Sequence, residues 1–259
     1  CAYTNGPNKT DDLVNDASAP MDDCIDPPAE CFDVVVTVEP TPVSEASATA
    51  ETVCHNGAPT TTTGSLTGGT GVGDAYLITA VQTSGTAGFT ASQSGITAGT
   101  LIDGTLTNTT DDNAVVTYTI QAYTFGANGS DDGGDPILDC VDPTGVDVTV
   151  TVEPLPTAIN PGDAIICSGD NADLDVTTDL TIANTAFNWT ATYGMVTGGS
   201  GSANNVAYGA SSITDGALIN TTNASIDVTY TITPITYGPD GAFGGGDDCE
   251  GTAFDIEVT

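Results

Sequence analysis

Basic side chains are almost missing from this chain: its 259 residues carry 35 Asp and Glu against a single Lys or Arg, for a formal net charge of -34 at pH 7. Charged residues amount to 14%, below the roughly 25% usual in soluble proteins. The imbalance therefore comes from absent bases rather than added acids, and halophilic acid enrichment explains it poorly. With Lys9 the only cation and His55 the only imidazole, the chain cannot assemble a basic footprint for DNA, RNA or an anionic membrane. Long apolar runs are missing too. Stretches such as Val34-Val35-Val36 fall far short of the 18 or more residues of a membrane helix, so no membrane insertion is expected. No basic n-region with an apolar h-region follows Cys1, and any export signal is expected to have been removed or to lie outside this sequence. Catalytic candidates are as scarce. His55, beside Cys54, reads as a surface histidine next to a disulfide, and paired carboxylates for glycoside hydrolysis would need an added active-site segment that the sequence does not display. The chain is expected not to be an enzyme.

What is present is a hydrophobic fraction of 39%, enough for a core, in a chain long enough for two domains. It is organised as repeats. Val36-Thr37-Val38-Glu39-Pro40-Thr41-Pro42 returns as Val150-Thr151-Val152-Glu153-Pro154-Leu155-Pro156. Val115-Val116-Thr117-Tyr118-Thr119-Ile120 returns as Asp227-Val228-Thr229-Tyr230-Thr231-Ile232, and Asp103-Gly104-Thr105-Leu106 as Asp215-Gly216-Ala217-Leu218. Cys24-Ile25-Asp26-Pro27, Cys140-Val141-Asp142-Pro143 and Cys249-Glu250-Gly251-Thr252 form a third family. The markers keep one order and nearly one spacing. Residues 1–40 read as the last part of one unit, 41–154 as a complete unit, and 155–259 as a unit ending in its last strand. The Pro-x-Pro junctions suit short, stiff linkers.

Within each unit the hydrophobic period is two. Phe32, Val34, Val36 and Val38, then Val146, Val148, Val150 and Val152, then Phe254, Ile256 and Val258 alternate with polar or smaller residues, the mark of half-buried strands. Thr is abundant, and Gly-rich clusters such as Gly198-Gly199-Ser200-Gly201 supply turns. The expected fold is all-β: tandem antiparallel β-sandwiches joined by short Pro-containing linkers.

Seven cysteines follow the repeat. Equivalence pairs Cys54 with Cys140 and Cys167 with Cys249 inside each unit, which would stabilise each by ~4.6 kcal/mol in the chain-entropy model. Cys24, the counterpart of Cys140, would find its partner before residue 1, leaving Cys1 and Cys31 as an extra pair. Two alternatives stay open, reduced core cysteines and a lipidated Cys1. Disulfides imply an extracellular location.

Before each third-family cysteine lies a loop rich in Asp: Asp11, Asp12, Asp16, Asp22 and Asp23; Asp131, Asp132, Asp135 and Asp139; Asp240, Asp247 and Asp248. Carboxylates on flexible loops are what calcium takes, so calcium is the cofactor to test against a solvated acidic loop. Asp103 and Asp215, each before Gly, read as turn residues. Asn8, Asn108, Asn128, Asn188, Asn220 and Asn223 open Asn-x-Ser/Thr sequons, the acceptor pattern for glycans. Neither full unit contains a Lys for an isopeptide cross-link.

Cys167-Ser168-Gly169, a central Phe187-Asn188-Trp189-Thr190, Leu218-Ile219-Asn220-Thr221-Thr222, Val228-Thr229-Tyr230-Thr231-Ile232 and Cys249-Glu250-Gly251 together resemble the PKD-like, immunoglobulin-like repeats of giant secreted surface proteins of Bacteroidota, including gliding-motility adhesins of the SprB type. The middle unit departs from that pattern, with Cys54-His55-Asn56-Gly57 in place of Cys-Ser-Gly and Ile78 in place of the Trp. The resemblance implies type IX export, a C-terminal anchor domain, a cell-surface position, and a non-catalytic role in an adhesin or filament. The expected partners are neighbouring repeats or copies of the chain, with surface polysaccharide or other cells beyond them. An alternative is a discrete subunit that polymerises by strand complementation through residues 1–40. A carbohydrate-binding module using Trp189 is a weaker option, because Trp189 reads as a core position.

Overall fold

Alternating Val, Ile, Tyr and Thr build strands throughout, and no helix occurs among the residues described by the computed structural model, which are 3–4, 24–25, 35–36, 38–64, 75–85, 87–126, 128–238 and 240–259. The chain falls into two compact units, Cys1–Val38 and Glu39–Thr259. In the first, β1 (Tyr3–Thr4) pairs antiparallel with β2 (Cys24–Ile25).

The second unit contains two successive main sheets, each with a two-stranded sheet beside it. The earlier one is formed by β3 (Ala50–Val53), β4 (Ala75–Ser84), β6 (Ser92–Ile96), β8 (Ala114–Thr124), β9 (Cys140–Val141) and β10 (Val146–Val152), while β5 (Ala87–Gly88) and β7 (Thr107–Asn108) pair apart from it. Its order is β3-β10-β8-β4-β6, with β9 on the end of β8. β3 runs parallel to β10, and the other pairs are antiparallel. The later part has β11 (Ala172–Leu174), β12 (Thr185–Thr192), β13 (Ser202–Val206), β14 (Ile213–Asp215), β15 (Val228–Thr236), β16 (Cys249–Glu250) and β17 (Phe254–Val258). Its main sheet runs β13-β12-β15-β16 with β17 also on β15, and β11 pairs with β14.

Side-chain alternation sets the inner face. On β8, Ala114, Val116, Tyr118, Ile120 and Ala122 are buried while Val115, Thr117, Thr119 and Gln121 are half-buried. Because successive side chains point to opposite faces, a slip of one residue would put the threonines inside. The first core also takes Ile78, Val148 and Val150 from the sheet and closes with Ile102 and Leu106 from the facing segments. The second takes Phe187, Trp189, Tyr230, Ile232 and Ile256 and closes with Leu174, Val176, Ile213 and Leu218. The all-β sandwich expected from the alternation is the fold that forms.

The long central strands define two poles of each sandwich, and the cysteines lie at opposite ones. Cys54 follows Val53, which pairs with Val152, itself paired with Ala114 at the start of β8. Cys140 pairs with Thr124 at the other end of β8. Likewise Cys167 follows Ile166, whose N–H donates to the Thr259 carbonyl beyond β17, whereas Cys249 pairs with Thr236 at the far end of β15. A strand of that length spans roughly 30 Å, and a disulfide needs Cα atoms within about 7 Å.

Candidate functional site

The expected pairings Cys54–Cys140 and Cys167–Cys249 are therefore corrected. Cys54 is bonded to Cys249, with a Cα–Cα distance of 5.5 Å and 195 residues between them, and Cys140 and Cys167 are free. The bond joins the tail pole of the first sandwich to the head pole of the second. Equivalence correctly matched the cysteines between repeats and then paired the wrong members. The proposed pair of Cys1 and Cys31 lies outside the described residues.

The junction around this disulfide is built from the Val-Glu-Pro-Leu-Pro segment. Glu153, Pro154 and Pro156 are all buried. Glu153 accepts a 2.5 Å hydrogen bond from the Thr236 hydroxyl, and its Oε2 lies 3.3 Å from Cys249 Sγ, a contact only, since a disulfide sulfur carries no proton. The space beside Gly251 is filled by the Pro156 carbonyl, which a Cβ there would meet at 1.9 Å. Thr181 donates its backbone N–H to the Asp111 carbonyl at 3.3 Å, and its hydroxyl contacts the Asp112 carboxylate. The segment is thus part of the packed interface.

The head pole of the first sandwich repeats these contacts. Glu39 accepts from the Thr124 hydroxyl at 3.3 Å and lies 3.9 Å from Cys140 Sγ. Ser44 donates its N–H and hydroxyl to Asp142 at 2.9 and 2.7 Å, and Thr144 donates to the other oxygen of Asp142. Burial works against the Asp142 charge, but those donors outweigh it and hold the carboxyl well below the usual carboxylate range.

Asp103 and Asp215 do sit before turns, each accepting from the N–H of the glycine that follows. Their carboxylates also reach inward, which sequence reading missed. Asp103 accepts from Tyr118 at 2.8 Å and from the N–H and hydroxyl of Thr90. Asp215 accepts from Tyr230 at 2.8 Å, Tyr193 at 2.5 Å, and the N–H and hydroxyl of Ser200. Burial opposes the Asp215 charge, and these hydrogen bonds still lower its pKa. Desolvation and the Asp215 carboxylate push the Tyr193 phenol up to about 12. The signal available was the matching Asp-Gly and Val-Thr-Tyr spacing in both repeats.

His55 performs the task of Ser168. Its Nδ1 lies 2.7 Å from the Asn108 carbonyl and 3.1 Å from the Asn108 nitrogen. Ser168 Oγ donates to the carbonyl and accepts from the N–H of Asn220, whereas a single imidazole nitrogen makes one of those two bonds at a time. The departure Cys-His-Asn-Gly is thus a structural substitution.

Of the aspartates proposed for calcium, Asp11, Asp12, Asp22 and Asp23 lie outside the described residues, as do Asp16 and the sequon Asn8. Asp131 accepts from Tyr123 and Gly133, Asp132 from Asn128, Asp135 from Ile137, and Asp139 from Gly134. Asp240 accepts from Ala242, Asp247 from Asp240, and Asp248 from Gly244. One oxygen each of Asp139, Asp247 and Asp248 is buried without a partner. Among the described residues no group of three or more His, Cys, Asp or Glu is placed to hold a metal ion. Asn108 is buried, and its amide nitrogen donates to the Asp112 and Val152 carbonyls, which leaves no room for a glycan. Asn188 and Asn220 are half-buried, and Asn128 and Asn223 are exposed. Trp189 is in the core against Tyr230, ring centroids 5.6 Å apart, and offers no sugar platform.

Residues 164–259 match a family model described as PKD-like domain, which supports a PKD-like, immunoglobulin-like repeat and is consistent with an extracellular, structural one. No curated protein matches the chain. Among solved structures it is similar to protocadherin gamma B2 extracellular cadherin domains 3-6, at 11% identity and TM-score 0.30, covering 85% of this chain and 51% of that one. It is also similar to Drosophila N-cadherin EC1-4, at 10% identity and TM-score 0.31, covering 85% of this chain and 49% of that one. The chain thus spans about half the length of these structures. Similarities this loose carry no functional conclusion.

Proposed function

We propose that this chain is a non-catalytic structural segment of an extracellular bacterial surface adhesin or filament, of the kind found in gliding adhesins of the SprB type in Bacteroidota. Its PKD-like repeats act as stiff spacers that hold a binding region, for surface polysaccharide or another cell, away from the membrane. The observation that carries this reading is the junction: the buried Glu153, Pro154 and Pro156 and a disulfide tie successive sandwiches pole to pole. A flexible linker would leave its prolines and glutamate in water. The boundaries 1–40, 41–154 and 155–259 are part of this proposal, as is the extracellular location that the disulfide requires.

Small-angle scattering on the oxidised chain tests it. A fixed distance between the two sandwiches, insensitive to salt, is the expected result; a broad distribution of distances would sink the spacer reading. Calcium is tested separately by melting with added calcium and with a chelator. Turn-forming aspartates alone predict a difference within ~2 °C, whereas a larger rise would establish the ion as a cofactor.

A further inference from the structure

We propose that Cys167 is the open half of a second junction disulfide, whose other half is the cysteine at the Cys249 position of a further PKD-like repeat packed on the tail pole of residues 155–259. This rests on the spacer reading and gives it a covalent connectivity, in which the tail-pole cysteine of each repeat is bonded to the head-pole cysteine of the next.

Three observations converge. The same cysteine one repeat earlier, Cys54, already makes this bond, to Cys249. Cys167 itself is exposed and free. Around it lies a groove lined by Ile165, Ile166, Leu218, Ile226, Val258 and Asn220, with Ile165 88% exposed. In the first repeat the counterparts are covered. Val53, Ala114 and Asn108 stand at 8%, 0% and 1% exposure, whereas Ile166, Ile226 and Asn220 are only half-buried. In the first repeat Val152 pairs with Val53 and Ala114 and accepts from Asn108, and the following sandwich adds its own contacts at the same pole: its Asp247 carbonyl lies 3.9 Å from Cys54 Sγ, and its Thr181 bonds to Asp111. The groove is thus continuous in kind with the interface already formed, and its occupant is a repeat of the same design.

Cys140 is the complementary open half at the other end. It sits beside Glu39 and Thr124 as Cys249 sits beside Glu153 and Thr236, and it would take the tail-pole cysteine of a preceding repeat. Each bond forms by thiol–disulfide exchange with an oxidised dithiol of the cell envelope. The two cysteine thiols lose two protons and two electrons and become one disulfide, and the oxidant's disulfide is reduced to two thiols.

The test uses the protein as isolated, without reductant, blocked with iodoacetamide and cleaved before aspartate, since Lys9 is the only tryptic site. Peptide 163–169, which contains Cys167, is expected to run linked to an Asp-Cys peptide from another repeat, while peptide 248–254 is linked to the one containing Cys54. Recovery of 163–169 alkylated, linked to 248–254, or capped by a small thiol overturns the proposal. Intact mass before and after reduction then distinguishes the source: an unchanged mass places the partner repeat in the same polypeptide, and a fall places it in a second chain. Scattering on the same preparation keeps the two readings apart, because an extended rod with Cys167 alkylated removes only the covalent connectivity.

Discussion

At the residue scale, the most informative groups are buried carboxylates that have no basic partner among the described residues. Asp103, Asp142 and Asp215 are acceptors held by hydroxyls and backbone N–H groups, and the pKa values of Asp142 and Asp215 are lowered by them, an arrangement suited to a sequence with a single Lys or Arg. Charge-assisted hydrogen bonds of this kind are worth more than neutral ones. Asp215→Asn is expected to cost ~2–4 kcal/mol in a urea melt, since it replaces acceptors facing Tyr193, Tyr230 and Ser200 with an amide that cannot satisfy them all. Asp142 has a pH signature. Its folded pKa is depressed, so its stabilisation is present above the unfolded carboxylate pKa of about 4 and is lost as pH falls toward the folded value. Asp142→Asn should therefore be destabilised by ~2 kcal/mol at pH 7 and by progressively less between about pH 4 and pH 2. A gap independent of pH would show that folding does not lower the Asp142 pKa. The tyrosines run the opposite way. Raised folded pKa values of Tyr118, Tyr193 and Tyr230 add stability below about pH 10 that is lost above it, so phenolate absorbance should rise together with unfolding.

At the scale of elements, the strands followed the alternation closely. Val146 to Val152 and Val228 to Ile232 became central strands because their Val, Tyr and Ile residues share one face. The two inward aspartates were legible only as Asp-Gly turns, because a turn motif specifies backbone geometry and is silent on whether the carboxylate faces water or core. The Pro-containing segment was legible as a stiff connector but not as packing surface. Gly251 shows the difference. Its sequence position suggested nothing special, yet the Pro156 carbonyl occupies the place of a Cβ. Gly251→Ala is expected to push Pro156 off β16 and lower the second sandwich's stability by ~1–3 kcal/mol through overpacking. The same substitution at Gly104, with open space around it, should change stability by less than ~0.5 kcal/mol.

At the scale of the whole molecule, the disulfide between Cys54 and Cys249 closes a loop spanning both sandwiches. The chain-entropy model assigns it ~5 kcal/mol relative to an open chain. Reduction is expected to separate the melting of the two repeats into distinct transitions while each sandwich retains its own core, measured by calorimetry with and without reductant. Cys54→Ser should behave like the reduced protein and should also expose Cys249 to alkylation. If both forms melt in one unchanged transition, the buried Glu153 and proline contacts alone fix the junction.

The sequence by itself determined the all-β class and the order of the repeated motifs, because side-chain period and spacing are properties of the chain read residue by residue. Only the tertiary structure decided which cysteines meet. Alternation tells which face of a sheet a residue occupies, whereas disulfide pairing depends on which end of a long strand it reaches. Cys54 and Cys140 belong to one repeat but lie at opposite poles of its sandwich, and packing the next sandwich against the tail pole brings Cys249 within reach.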